Sequence, residues 1–123
     1  MSESAHQIAL IRWADLQART RPELGLLYSI ANGGMRNIIT AARLKAEGVR
    51  AGVPDLCLPV PRNGFGALYI ELKAPKVAGS TKRAGRLSQA QVDWGKRLAL
   101  AGNAWVVVHG WDEAREAIEG YLR

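Results

Sequence analysis

Along residues 2–19 the apolar positions Ile8, Ile11, Trp13 and Leu16 recur among polar ones at helical spacing. Pro22 and Gly25 end the run, which predicts a first helix. Leu26 to Ile30 is a short apolar block between Gly25 and Asn32-Gly33-Gly34, the pattern of a strand running into a turn. Helical register returns over residues 37–47 through Ile38, Ile39, Ala42 and Leu44, with Gly48 as the stop. Residues 55–60 and 67–73 read as two strands, and Pro61-Arg62-Asn63-Gly64 between them suits a hairpin turn. The second strand alternates strictly: Leu68, Ile70 and Leu72 share one face, and Tyr69, Glu71 and Lys73 the other. Residues 74–87 carry Lys76, Lys82, Arg83 and Arg86 without an acid, together with Gly79 and Gly85, and predict a mobile basic loop. Ser88 is placed to cap a helix running to about Ala101, with Val92, Leu98 and Leu100 inward and Gly102 beyond its end. An unbroken apolar strand over residues 104–109 and a helix over residues 112–122 follow.

This order of helices and strands predicts an α/β fold, a mixed sheet flanked by helices, as a single domain over residues 1–123. The strand at residues 104–109 is apolar on both faces and is therefore expected in the sheet interior.

Composition narrows the function. Seventeen Lys and Arg against eleven Asp and Glu leave a net charge of +6, a field that favours polyanionic partners, with nucleic acid foremost. Cys57 is the sole cysteine, so neither an internal disulfide nor a cysteine-rich zinc site can form. No apolar run approaches the ~20 residues that a membrane-spanning helix needs. The start lacks the basic stretch and apolar block of an export signal, so a cytoplasmic protein is expected.

The chemistry concentrates in Gly52-Val53-Pro54-Asp55-Leu56 and Ile70-Glu71-Leu72-Lys73. Glu71 and Lys73 lie two apart on one strand and project from one face, and Asp55 reaches the same point if the two strands are neighbours. Two carboxylates ~4 Å apart repel by about 4 kcal/mol at an effective dielectric near 20. One ammonium relieves part of that. A hard divalent cation removes the conflict, and Mg²⁺ typically takes one or two carboxylates plus waters and phosphate oxygens. Such a centre polarises a phosphodiester, while Lys73 positions the attacking water and balances charge.

Pro54-Asp55, fifteen intervening residues and Glu71-Leu72-Lys73 resemble the PD-(D/E)XK nuclease signature. The wider pattern resembles the virus-type replication-repair nuclease family, VRR-NUC. It takes in Glu3 with Gln7, Asn32-Gly33-Gly34, Leu44-Lys45 before Gly48-Val49, and Ser88 with Gln91 and Trp94. The resemblance implies a restriction-endonuclease-like fold and a Mg²⁺- or Mn²⁺-dependent cut in DNA that leaves 5′-phosphate and 3′-hydroxyl ends. It implies that Asp55, Glu71, Glu3 and the main-chain carbonyl of Leu72 hold the metal, that Lys73 is catalytic and that Gln91 borders the site. It further implies a homodimeric Holliday-junction resolvase of bacterial or phage origin, since small members of the family cut four-way junctions as dimers. A DNA-binding module without chemistry, and a nuclease on flaps, nicks or duplex, are the alternatives.

Lys76, Lys82, Arg83 and Arg86 are expected to meet DNA phosphates beside the site, with Arg36, Arg43, Arg50 and the Asn32 loop extending that surface. Cys57 is expected as a packed small apolar group, His6 on the surface of the first helix, and His109 at a strand end. Ile38, Ile39 and Trp111 are assigned to the core, with a dimer surface as their alternative use.

Overall fold

The computed structural model describes residues 1–31, 38–80 and 85–123. Residues 32–37 and 81–84 lie outside the described part, so the placements expected for Asn32, Arg36, Lys82 and Arg83 do too.

Helix α1 (Glu3–Gln17) starts because Ser2, in extended conformation, accepts the free Ala5 N–H with its side chain. A 3₁₀ turn at Pro22–Leu26 leads into the short strand β1 (Tyr28–Ser29), and α2 (Ile38–Ala46) follows. The strands β2 (Leu56–Leu58) and β3 (Leu68–Lys73), helix α3 (Gln89–Leu100), strand β4 (Ala104–His109) and helix α4 (Trp111–Leu122) complete the order. The sheet runs β1-β2-β3-β4, with β1/β2 and β2/β3 antiparallel and β3/β4 parallel across the α3 crossover.

Local chemistry accounts for the joints. Asn63 and Gly64 both have positive φ, at 53° and 84°, and the Arg62 and Phe65 main chains exchange hydrogen bonds of 3.1 and 2.8 Å. That is the two-residue hairpin turn an Asn-Gly pair favours. The Ser88 side chain accepts the Gln91 N–H, and the Gln91 side-chain oxygen accepts the Ser88 N–H, closing a capping box at the start of α3.

The alternation of β3 divides the molecule into two layers. Leu68, Ile70 and Leu72 join Leu10 and Ala14 of α1 and Ala114 and Ile118 of α4 in the main core. Across the sheet α3 lies so close that a Cβ on Gly95 would come within 2.0 Å of the Trp105 ring.

Several expectations change. Strand β4 is the last strand of the sheet among the described residues rather than an interior one. Its two-sided apolar pattern arises because Val106 and Val108 face the α1/α4 core while Trp105 faces α3. The buried row of α1 is His6, Leu10 and Ala14; Ile8 and Leu16 are exposed. His6 is buried because its Nδ1 accepts the Trp111 N–H at 3.0 Å, serving the start of α4 where Gly110 offers no side chain. The block predicted as one strand from Leu26 is strand only at Tyr28 and Ser29, with one further bond from the Ile30 N–H to the Asp55 carbonyl, because Pro22 begins a 3₁₀ turn that reaches Leu26. Leu100 projects into solvent at the last turn of α3. Helix α2 buries no residue; Ile38 and Ile39 are 88% and 84% exposed, whereas Trp111 packs against the core. Cys57 is buried in β2 as expected.

The contact at Gly95 yields a stability test. Alanine normally favours a helix interior by about 1 kcal/mol over glycine. Here the added methyl overlaps Trp105, and overpacking of this kind costs roughly 1–3 kcal/mol. Gly95→Ala is therefore expected to lower the urea midpoint, with the loss visible in the tryptophan signal.

Candidate metal-assisted active site

The candidate site forms at the carboxyl end of β3. Continuing the β2/β3 register from Leu56 and Ile70 by one step brings Asp55 opposite Glu71. The ladder distorts there. The Asp55 N–H donates to the Ile70 carbonyl at 3.0 Å, and the Asp55 carbonyl accepts the Ile30 N–H at 2.8 Å. Its side-chain Oδ2 accepts the Leu72 N–H at 2.7 Å. Three bonds thus fix Asp55 between Ile70 and Leu72, beside the carboxyl of Glu71. Because a strand residue's N–H and C=O face the same neighbour, the Leu72 carbonyl also points to the side where β2 has ended.

Gly52 allows this placement. It has φ +87°, and a Cβ there would lie 2.6 Å from the Ala90 main chain, so the segment entering Asp55 rests against the first turn of α3.

Glu71 is excluded from solvent, with a relative exposure of 0%. Its Oε1 accepts from Gln91 Nε2 at 3.1 Å, and its Oε2 is buried with no donor. Burial pushes the Glu71 carboxyl up to about 8; a hydrogen bond to Asp55 and the Asp55 charge reinforce the rise, Lys73 opposes it and Glu3 adds to it. These observations fit together. As a carboxylate Glu71 leaves Oε2 unsatisfied, whereas as an acid it can donate from that oxygen to Asp55.

Gln91 links the remaining groups. Its Oε1 accepts from both Lys73 Nζ at 3.0 Å and the Ser88 N–H at 2.9 Å. Two donors on that oxygen dictate which end of the amide is which, so the NH₂ group must face Glu71. Lys73 is 8% exposed, and Gly85 crosses over it with room for no more than a tight Cβ, 3.2 Å from the lysine side chain. The ammonium is held within the network by Gln91.

The donor set suits a hard divalent cation: a solvent-excluded carboxylate oxygen without a partner, a second carboxylate beside it, and a nearby main-chain carbonyl. Among the described residues no three His, Cys, Asp or Glu side chains gather into a metal cage, so a cation held here would draw its remaining ligands from water or substrate oxygens. Glu3 is exposed at the start of α1, near enough for its charge to raise Glu71. With Gln7 and Leu72 it lines a cavity of about 390 Å³.

The structure thus brings Asp55, Glu71, Lys73 and Gln91 together around the Leu72 main chain, with Glu3 at the rim. Lys76 and Arg86 are exposed on the loop that follows β3, and Arg43, paired with Glu47 at 3.5 Å, and Arg50 are exposed near α2. Sequence reasoning did not find Arg12 and Ile8, which also line the cavity. Their signal was the four-residue spacing from Ser4, which places Ser4, Ile8 and Arg12 on one flank of the helix.

The profile of the VRR-NUC domain family matches residues 1–112. A solved structure titled "VRR_NUC domain protein" superposes with a TM-score of 0.79 at 27% identity, covering 99% of this chain and 88% of that one. No curated protein matches.

A carboxyl raised in the folded state binds its proton more tightly than in the unfolded chain. Its contribution to stability is complete below about 4.5 and is lost as the pH rises through about 8. Metal-free protein should therefore lose stability relative to Glu71→Gln between pH 5 and pH 9. Paired urea titrations measure that difference, and identical slopes would remove the assigned protonation.

Proposed function

The chain belongs to the VRR-NUC family of nuclease domains, and from that premise we propose that it is a divalent-metal-dependent, structure-specific DNA endonuclease, a homodimeric resolvase of four-way junctions. The observation that carries this reading is the unpartnered, solvent-excluded oxygen of Glu71 beside Asp55, with Lys73 anchored to the same network through Gln91.

Asp55, Glu71 and the Leu72 carbonyl are the groups that would hold Mg²⁺ or Mn²⁺, with Glu3 able to join from the rim. When bound, the ion supplies Lewis acidity toward the phosphodiester and lowers the pKa of coordinated water. The protein's own groups do the positioning. Gln91 orients Glu71 and Lys73 relative to each other, and Lys73 orients the attacking water and counters the charge that develops on phosphorus oxygens. Hydrolysis without a covalent intermediate leaves a 5′-phosphate and a 3′-hydroxyl. Lys76 and Arg86, with Lys82 and Arg83 of the same loop, supply phosphate contacts that are insensitive to sequence.

The dimer is favoured by α2, whose Ile38 and Ile39 lie in solvent. An isologous interface there would repeat the site about a two-fold axis and so place two incisions symmetrically in a junction. Ile38→Glu with Ile39→Glu is expected to halve the mass measured by light scattering and to uncouple the two cuts. A wild-type monomer at micromolar concentration argues for the flap or duplex alternative.

The activity is tested with labelled four-way junction, flap and linear duplex in Mg²⁺ or in EDTA. Cutting is expected on the junction in Mg²⁺ only. Asp55→Asn should cut at least about a hundredfold more slowly while binding the junction as well as wild type or better. The substitution keeps an oxygen for the Leu72 N–H and removes negative charge beside phosphate. Junction binding without scission of any DNA by wild-type protein would leave the DNA-binding module as the reading.

A further inference from the structure

Two rows of side chains run along one flank of α1: Glu3, Gln7 and Ile11, and beside them Ser4, Ile8 and Arg12, each row spaced by four residues. Together with Leu72 they line the cavity of about 390 Å³. This volume falls at the lower end for pockets that hold small organic ligands. One end shares Glu3 and Leu72 with the carboxylate centre. Arg12 stands nine residues beyond Glu3, about 13 Å along the axis at the α-helical rise.

The composition of the wall is informative. Among the described residues Arg12 takes part in no ion pair or hydrogen bond, although the same chain places Arg21, Arg43 and Arg115 in salt bridges. Beside it Ile8 is 50% exposed, an apolar side chain held at the cavity rather than in the core. A free guanidinium fork next to an aliphatic surface complements a sugar-phosphate strand, whose phosphates accept two parallel hydrogen bonds and whose deoxyribose presents apolar carbon. Glu3 at the opposite end repels a phosphate, which favours the Arg12 end for the anion.

We propose that this cavity seats the DNA strand on one side of the cut, with Arg12 gripping a backbone phosphate a few nucleotides from the scissile one and Ile8 packing on an adjoining sugar. The assignment rests on the nuclease reading, because the cavity shares Leu72 and Glu3 with the carboxylate centre. It adds a contact from α1 to those assigned to the segment after β3. Arg12 acts here as a substrate-positioning residue, distant from the reacting atoms.

The test uses the full chain and junction strands carrying one neutral methylphosphonate at successive positions around the cut. Wild-type cutting should slow at the cut itself and roughly tenfold at one further position, the size expected for a lost charged hydrogen bond. Arg12→Ala should cut the unmodified substrate roughly tenfold more slowly and be indifferent to the methylphosphonate at that further position only. In EDTA its binding should show a salt dependence shallower by about one phosphate contact, and Arg12→Lys should recover part of the affinity. Arg12 is exposed, so the replacement leaves the core intact. An unchanged rate and modification profile for Arg12→Ala, or a uniform slowing with the same profile, overturns this inference alone. Failure of the wild-type protein to cut any DNA overturns the nuclease reading and this assignment with it.

Discussion

A carboxyl buried beside another carboxylate is the constraint around which this site is arranged. Taken as two anions, Glu71 and Asp55 would combine desolvation with like-charge repulsion, and the residues nearby relieve only part of that cost. Lys73 lowers the Glu71 pKa, but burial and Asp55 dominate and the carboxyl stays raised to about 8. In the protein alone, one proton resolves the conflict. A divalent cation resolves it more completely, and binding of that cation must then displace the proton. The burial that makes the metal-free site unfavourable as a dianion would favour a small, doubly charged guest.

The fold supplies this arrangement by short, separate devices. Strand β2 stops at Leu58 on one side and at Leu56 on the other, so the Leu72 N–H has no strand partner and takes the side chain of Asp55 instead. Gly52 brings the approach to Asp55 against α3, and the capping box of α3 fixes Gln91. The same amide therefore ends a helix, holds an ammonium and orients an acid.

Much of this was legible in the sequence because local chemistry dominated. Asn63-Gly64 suits a hairpin turn, Ser88 caps the helix after it, and the alternation of β3 separates Leu68, Ile70 and Leu72 from Glu71 and Lys73. The elements misread were those whose pattern has two physical causes. A strand apolar on both faces can be interior to a sheet or, like β4, an edge covered by helices on both sides. In α1 the buried row includes His6 and Ala14, which hydropathy ranks below Ile8 and Leu16, because His6 has a hydrogen-bonding task at Trp111. Asp55, Glu71 and Lys73 were visible as a spacing. Family resemblance placed Gln91 only at the border of the site; its bridge between Lys73 and Glu71 was not legible, since no local rule connects residues eighteen apart.

The exposed isoleucines of α2 and the unpaired Arg12 of α1 mark two surfaces with different demands, one apolar and one mixed. The Arg12 surface adjoins the carboxylate centre through Glu3 and Leu72, and that centre governs the chemistry proposed for both. Diffraction at the manganese absorption edge from crystals soaked in Mn²⁺ addresses that centre most directly. An anomalous peak bridging the carboxylates of Asp55 and Glu71 beside the Leu72 carbonyl is predicted. Well-ordered carboxylates with no peak between them, or a peak held only by other residues, would contradict it.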